Sequence, residues 1–81
     1  MQVPVIVPEL QTATEPLCIS GWLIEVGDSV IAGELVAEAG IPGVTFDLLV
    51  TISGELVQIV KPIGAPVFVG DTIGWIEVTP D

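Results

Sequence analysis

The run Ile19-Ser20-Gly21-Trp22-Leu23-Ile24-Glu25-Val26 returns later as Ile52-Ser53-Gly54-Glu55-Leu56-Val57-Gln58-Ile59, with Ile-Ser-Gly shared outright. Each copy leads into a glycine turn, a short apolar piece, a second glycine with an acid, and another apolar run. In the first half this reads Gly27-Asp28-Ser29-Val30-Ile31-Ala32-Gly33-Glu34-Leu35-Val36, and in the second Gly64-Ala65-Pro66-Val67-Phe68-Val69-Gly70-Asp71-Thr72-Ile73. Aligned on Ile-Ser-Gly, the second copy carries four extra residues, Val60 to Ile63, before its glycine. A repeat of this size is one supersecondary unit that cannot bury its apolar face alone. The chain therefore reads as two similar units around one shared core, with Val30 equivalent to Val67 and Ile24 to Val57 across a pseudo-twofold axis.

The units are made of strands. Nine glycines and seven prolines punctuate 81 residues. Between them lie short β-branched runs at 3–7, 17–26, 34–39, 44–50, 55–60 and 72–78, with shorter pieces at 29–31 and 66–68. Runs of this length, bounded by turn residues and lacking any helical period, predict an all-β sandwich or barrel. Pro4 and Pro8 suit an edge strand or a strand end, because proline cannot donate to a sheet ladder. A chain this short makes one domain, 1–81, that buries roughly 60–65% of the surface exposed on unfolding.

Most of the remaining polar residues have structural uses. Asp28 and Asp71 follow glycines, where an Asx carboxylate bonds turn amides. Trp22 and Trp75 are expected as core or half-buried anchors, since an indole covers much area on a small body. Cys18, inside the apolar run 17–26, is expected to pack in the core. It has no partner for an internal disulfide, and a reducing cytoplasm is the expected compartment.

Catalysis has little to work with. Histidine and tyrosine are absent, which removes the commonest general base and most routes to an activated serine or cysteine. Ser20, Ser29 and Ser53 lie in strand or turn contexts and read as structural. The acids are scattered with no calcium-loop spacing and no His/Cys cluster, so no metal is expected. Eleven acids against one base, Lys61, give a net charge of −10. Such a body repels phosphate backbones and anionic lipid. Neither nucleic acid nor a membrane is an expected partner; a protein with a basic or apolar surface is.

The series Trp22-Leu23-Ile24-Glu25-Val26-Gly27-Asp28-Ser29-Val30, then Gly33-Glu34-Leu35-Val36-Ala37-Glu38, resembles the biotinyl/lipoyl attachment domain. The opening run 3–10 is similar to that family's first strand, and Gly54, Gly64, Val67, Gly70-Asp71 and Ile73 fall where the family has them. The resemblance covers nearly the whole chain. It implies a barrel-sandwich hybrid, a flattened β-barrel of two pseudo-twofold-related four-stranded halves. It also implies a lysine at the hairpin between the halves, carrying lipoate or biotin in amide linkage. Lipoyl domains read Asp-Lys-Ala there, and biotinyl domains Met-Lys-Met.

This chain departs from the family at that point. Counting forward from Glu38, or back eleven residues from Gly54, arrives at Gly43, within Pro42-Gly43-Val44. Glycine has no side chain to modify, and Lys61, in the connection after the second repeat, is a poor substitute. Ile41-Pro42-Gly43-Val44 fits a type II turn, with proline second and glycine third. No bound cofactor is expected. The chain then reads as a non-catalytic lipoyl-like module for protein interaction or assembly, with Ile41, Pro42, Gly43, Val44 and Phe46 as its candidate contact surface for a partner or a second copy of the chain. The alternative is a carrier domain of a multienzyme complex with an unconventional or lost attachment site. The lysine-less lipoyl-like domains of efflux adaptor proteins are similar in core, but they carry a long helical hairpin at the tip, where this chain has only a turn.

Overall fold

The computed structural model describes residues 1–9 and 16–78. Eight strands follow in order: β1 (Gln2–Ile6), β2 (Leu17–Trp22), β3 (Ser29–Val30), β4 (Leu35–Ile41), β5 (Val44–Leu49), β6 (Gly54–Ile59), β7 (Pro66–Val67) and β8 (Thr72–Val78). They form two four-stranded sheets, ordered β1-β8-β6-β3 and β5-β4-β2-β7. Every pairing is antiparallel. No helix occurs among the described residues. The two inner faces meet in one core that includes Leu17, Ile19, Val36, Leu48 and Val67 from the β5-β4-β2-β7 sheet and Val30, Leu56, Ile73 and Ile76 from the β1-β8-β6-β3 sheet. This is the all-β, barrel-sandwich architecture that the sequence leads one to expect. Of the opening run 3–10, Val3–Ile6 lie in β1, and Leu10 lies outside the described residues. Pro4 is on β1, an edge of its sheet, where a missing amide costs no ladder bond.

The pseudo-twofold exchanges β1 with β5, β2 with β6, β3 with β7 and β4 with β8. Matching hydrogen bonds carry it. Gly27 N donates to Leu56 O at 2.8 Å, and Gly64 N to Ile19 O at 2.8 Å; Leu56 N donates to Asp28 O at 2.9 Å, and Ile19 N to Ala65 O at 3.0 Å. The register breaks also recur, between Ile19 and Gly21 in β2 and between Leu56 and Gln58 in β6. β4 and β8 have the same burial pattern at every position.

These bonds correct the expected alignment. Ile19 is equivalent to Leu56, not to Ile52. A constant spacing of 37 residues, from Gly27 to Gly64 and from Val30 to Val67, holds from Leu17–Ile41 to Gly54–Val78 with no extra residues. Val30 and Val67 are equivalent as expected, but Ile24 corresponds to Lys61 and Val57 to Ser20. The displaced match was off by four, an even number. Successive side chains on a strand alternate faces, so an even slip leaves every residue on its original face and the apolar pattern unchanged.

Alternation also corrects Cys18. Leu17 and Ile19 are buried, and Cys18 between them is exposed. The run 17–26 is not one buried strand either: β2 ends at Trp22, and the chain turns at 25–28. There Asp28 N donates to Glu25 O at 3.0 Å while the Asp28 carboxylate accepts from Glu25 N at 2.8 Å. Asp71 likewise accepts from Phe68 N at 2.8 Å, and Ser53 Oγ accepts from Ala32 N at 2.9 Å. The structural uses of these three residues are as expected, and Trp22 and Trp75 are half-buried.

Two carboxylate pairs sit directly opposite each other across strands, Glu38 with Asp47 and Glu55 with Glu77. Like charges so placed destabilise a sheet. Asp47→Lys should therefore stabilise the fold by about 0.5 kcal/mol at low salt, with the gain shrinking as salt screens the pair. Urea unfolding at two ionic strengths measures this; a loss of stability at low salt would contradict the pairing.

Candidate functional site

The hairpin joining the halves is built by β4 and β5. Its last rung pairs Ile41 with Val44, leaving Pro42 and Gly43 as a two-residue loop. Proline holds φ near −65°, which excludes the mirror-image hairpin turns that need positive φ at the first loop position. Gly43 has φ of 86°. Negative φ followed by positive φ is the type II combination, as the Pro-Gly pair predicts. Type II turns do not match the twist of the strands they join. Immediately below, Gly40 faces Thr45 at such close approach that a Cβ on Gly40 would run into the Val44 carbonyl oxygen. Gly43 has open space around it, so conformation alone demands glycine there.

The five candidate contact residues divide. Pro42 and Gly43 are exposed, as is Val44 at 45%. Ile41 and Phe46 are half-buried and pack against the core. The apolar surface at the turn is thus smaller than the sequence suggests, because Ile41 and Phe46 share the inner face of the hairpin with buried Ala39. The carboxylates Glu38 and Asp47 form the rung beyond Ala39 and Phe46.

Nothing from 40 to 44 carries a nucleophile, and the nearest hydroxyl is on exposed Thr45. The chain's one basic side chain, Lys61, belongs to the turn after β6. Its amide donates to Ile73 O at 3.1 Å and its carbonyl accepts the Trp22 indole N–H at 2.8 Å. The described residues hold no group of three His, Cys, Asp or Glu that could hold a metal ion, and no helix long and apolar enough to cross a membrane.

A second feature escapes the motifs. Trp22, Ile24, Glu25, Val26, Ile59, Pro62 and Ile63 line an open, mainly apolar groove. It joins the turn after β2 to the turn after β6, and Trp22, Val26 and Glu25 are the pseudo-twofold counterparts of Ile59, Ile63 and Pro62. The spacing of 37 residues reveals that both copies keep an apolar residue, Val26 and Ile63, outside their strands at this place.

Residues 3–76 match the family model described as "Biotin-requiring enzyme". The chain is 37% identical over 77 residues, 95% of its length, to the dihydrolipoyllysine-residue succinyltransferase component of the 2-oxoglutarate dehydrogenase complex of Rickettsia conorii. It is 31% identical over its full length to the same component of Rickettsia typhi. The chain spans about a fifth (20%) of the length of these relatives. Its fold is similar to the solution structure of the lipoyl domain of the 2-oxoglutarate dehydrogenase complex from Azotobacter vinelandii. The TM-score is 0.70 at 23% identity, covering 93% of this chain and 99% of that domain.

The two hairpin glycines should respond differently to substitution. Gly43→Val should destabilise the domain by about 1 kcal/mol or somewhat more, because a branched Cβ is unfavourable at positive φ. Gly40→Ala should cost about 1–3 kcal/mol, since backbone must move to admit the methyl group. Thermal and urea unfolding of both variants check this. A wild-type melting temperature for Gly43→Val would contradict the turn assignment.

Proposed function

The chain belongs to the family of biotin- and lipoyl-attachment domains, and from that premise we propose that it is the lipoyl-type domain of a multienzyme-complex acyltransferase component from which the attachment amine has been lost. The observation that carries this reading is the 37% identity over nearly the whole chain to one fifth of a dihydrolipoyllysine-residue succinyltransferase component. A domain-sized match within a much longer protein supports a part that serves a larger assembly. The chain itself then contributes no catalytic group.

The residues at the hairpin do not fit an amide-linked cofactor. Such a linkage needs an exposed primary amine on the turn, and Pro42-Gly43-Val44 offers none. Glycine at the family's lysine position supports a carrier fold kept without its arm. Lys61 is half-buried and on another element. A second reading, an interaction or assembly module, is supported by the exposed apolar side chains of Pro42 and Val44 at the turn. Both readings leave protein contact as the retained role, with a partner surface that is basic or apolar.

Co-expression with a lipoate ligase and, separately, with a biotin ligase, followed by intact-mass measurement, tests the proposal. Wild-type protein should keep its unmodified mass with either enzyme. Added mass would overturn the lost-amine reading, and Lys61→Arg would then show whether Lys61 accepts the group. The triple variant Pro42→Asp, Gly43→Lys, Val44→Ala should gain lipoyl mass. Failure of that variant to be modified while folded would refute the assignment of Gly43 to the attachment position.

A further inference from the structure

The groove between the turns after β2 and β6 is apart from the β4–β5 hairpin and independent of the reading above. Its floor is fixed. Trp22, Ile24 and Ile59 are half-buried and pack against the core, and the bond from the Trp22 indole to Lys61 O ties the two turns together at 2.8 Å. Its rims are apolar and in water: Val26 is 56% exposed and Ile63 is 67% exposed. Leu23 and Val60, again counterparts under the pseudo-twofold, are exposed on the same two turns. Scattered exposed aliphatics are ordinary, but apolar rims around a preformed hollow mark a contact surface.

Charge decides what fits. Glu25 lines the groove, and Asp28, on the same turn, is exposed beside it. The only ion pair among the described residues joins Met1 to Glu77, so Glu25, a lining residue of the groove, has no cationic partner. Lys61, on the groove's own second turn, is the sole base in the chain and stands against Glu25, Asp28 and nine further acids. A second copy would bring another charge of −10 toward the same rim, whereas a cationic segment is drawn in.

We propose that this groove docks a cationic peptide segment bearing an apolar side chain. The apolar side chain covers Val26 and Ile63 over the Trp22 indole, and a lysine or arginine meets Glu25. Recognition of this kind buries an apolar anchor and uses the rim charges for orientation and rate.

The probe is a short synthetic peptide of lysine and leucine only, with a glutamate–leucine peptide as its counterpart. A Trp75→Phe background leaves Trp22 as the one fluorophore. The lysine–leucine peptide should change Trp22 emission saturably, and more weakly as salt rises. Val26→Ser with Ile63→Ser, both at exposed positions, should weaken binding at least about tenfold. Glu25→Gln should weaken it and flatten the salt dependence, while Ile41→Ser with Val44→Ser at the hairpin should leave it unchanged. The proposal is overturned by equal binding of the glutamate–leucine peptide, by binding that survives the groove substitutions, or by absence of binding. It is also overturned if sedimentation shows a dimer that the groove substitutions dissolve, which would give the groove to a second copy.

Discussion

The structure depends on the reciprocal exchange of short strands between its halves. β3, from the first half, pairs only with β6 of the second, and β7, from the second, pairs only with β2 of the first. The amides of Gly27 and Gly64 carry the exchange further, each reaching into the other half. Two-residue strands could not hold a place by themselves; here each is clamped by a turn whose acid accepts a neighbouring amide. Removing one half would leave the other with an unpaired edge and an uncovered apolar face. The shared core is therefore the condition for either half to fold, and the hairpin between them is held from both sides.

The architecture was legible in the residues because two independent signals agree on it: strand-length apolar runs and a repeat. Register was not. A displaced Ile-Ser-Gly match cannot be told from the true equivalence of Ile19 with Leu56 by hydropathy, since both keep the same faces inward. What separates them is the spacing of 37 between turn glycines, which needs no extra residues, and the hydrogen bonds from those turns to the opposite half. The same limit explains Cys18, whose outward direction follows from the pleat, whatever the hydropathy of its run. At the candidate site the turn was readable to the residue, because Pro-Gly chemistry leaves few conformations. The inward lean of Ile41 and Phe46 was not, for it follows from the register of β4 on β5 and its shift between Leu35 and Ala37. The groove was invisible for a simpler reason: its lining comes from two turns far apart in the chain.

Acidity shapes what such a surface can meet. Carboxylates face each other across both sheets, and the described residues supply little to neutralise them. A small fold tolerates this because the charges lie outside the core, where water screens them, while its buried side chains are apolar. The cost is electrostatic repulsion between like-charged bodies, felt over distances of ~8–10 Å at ordinary salt.

The turn and its missing chemistry are linked physically. Pro42 and Gly43 together select a type II turn, and the positive φ of Gly43 would strain any residue with a side chain. A lysine at position 43 alone would meet that strain while Pro42 still held the turn to its type. Relief requires changing the proline as well, so that both loop positions are free to take another turn. Under the proposed reading, the arm was not lost by one reversible substitution. The loop settled into a conformation that glycine suits and lysine does not, and the scaffold beneath kept its register because its bonds lie in the strands. On that reading, the separation of a rigid core from a replaceable tip would let the domain keep its fold, and surfaces elsewhere on it, without an arm at the tip.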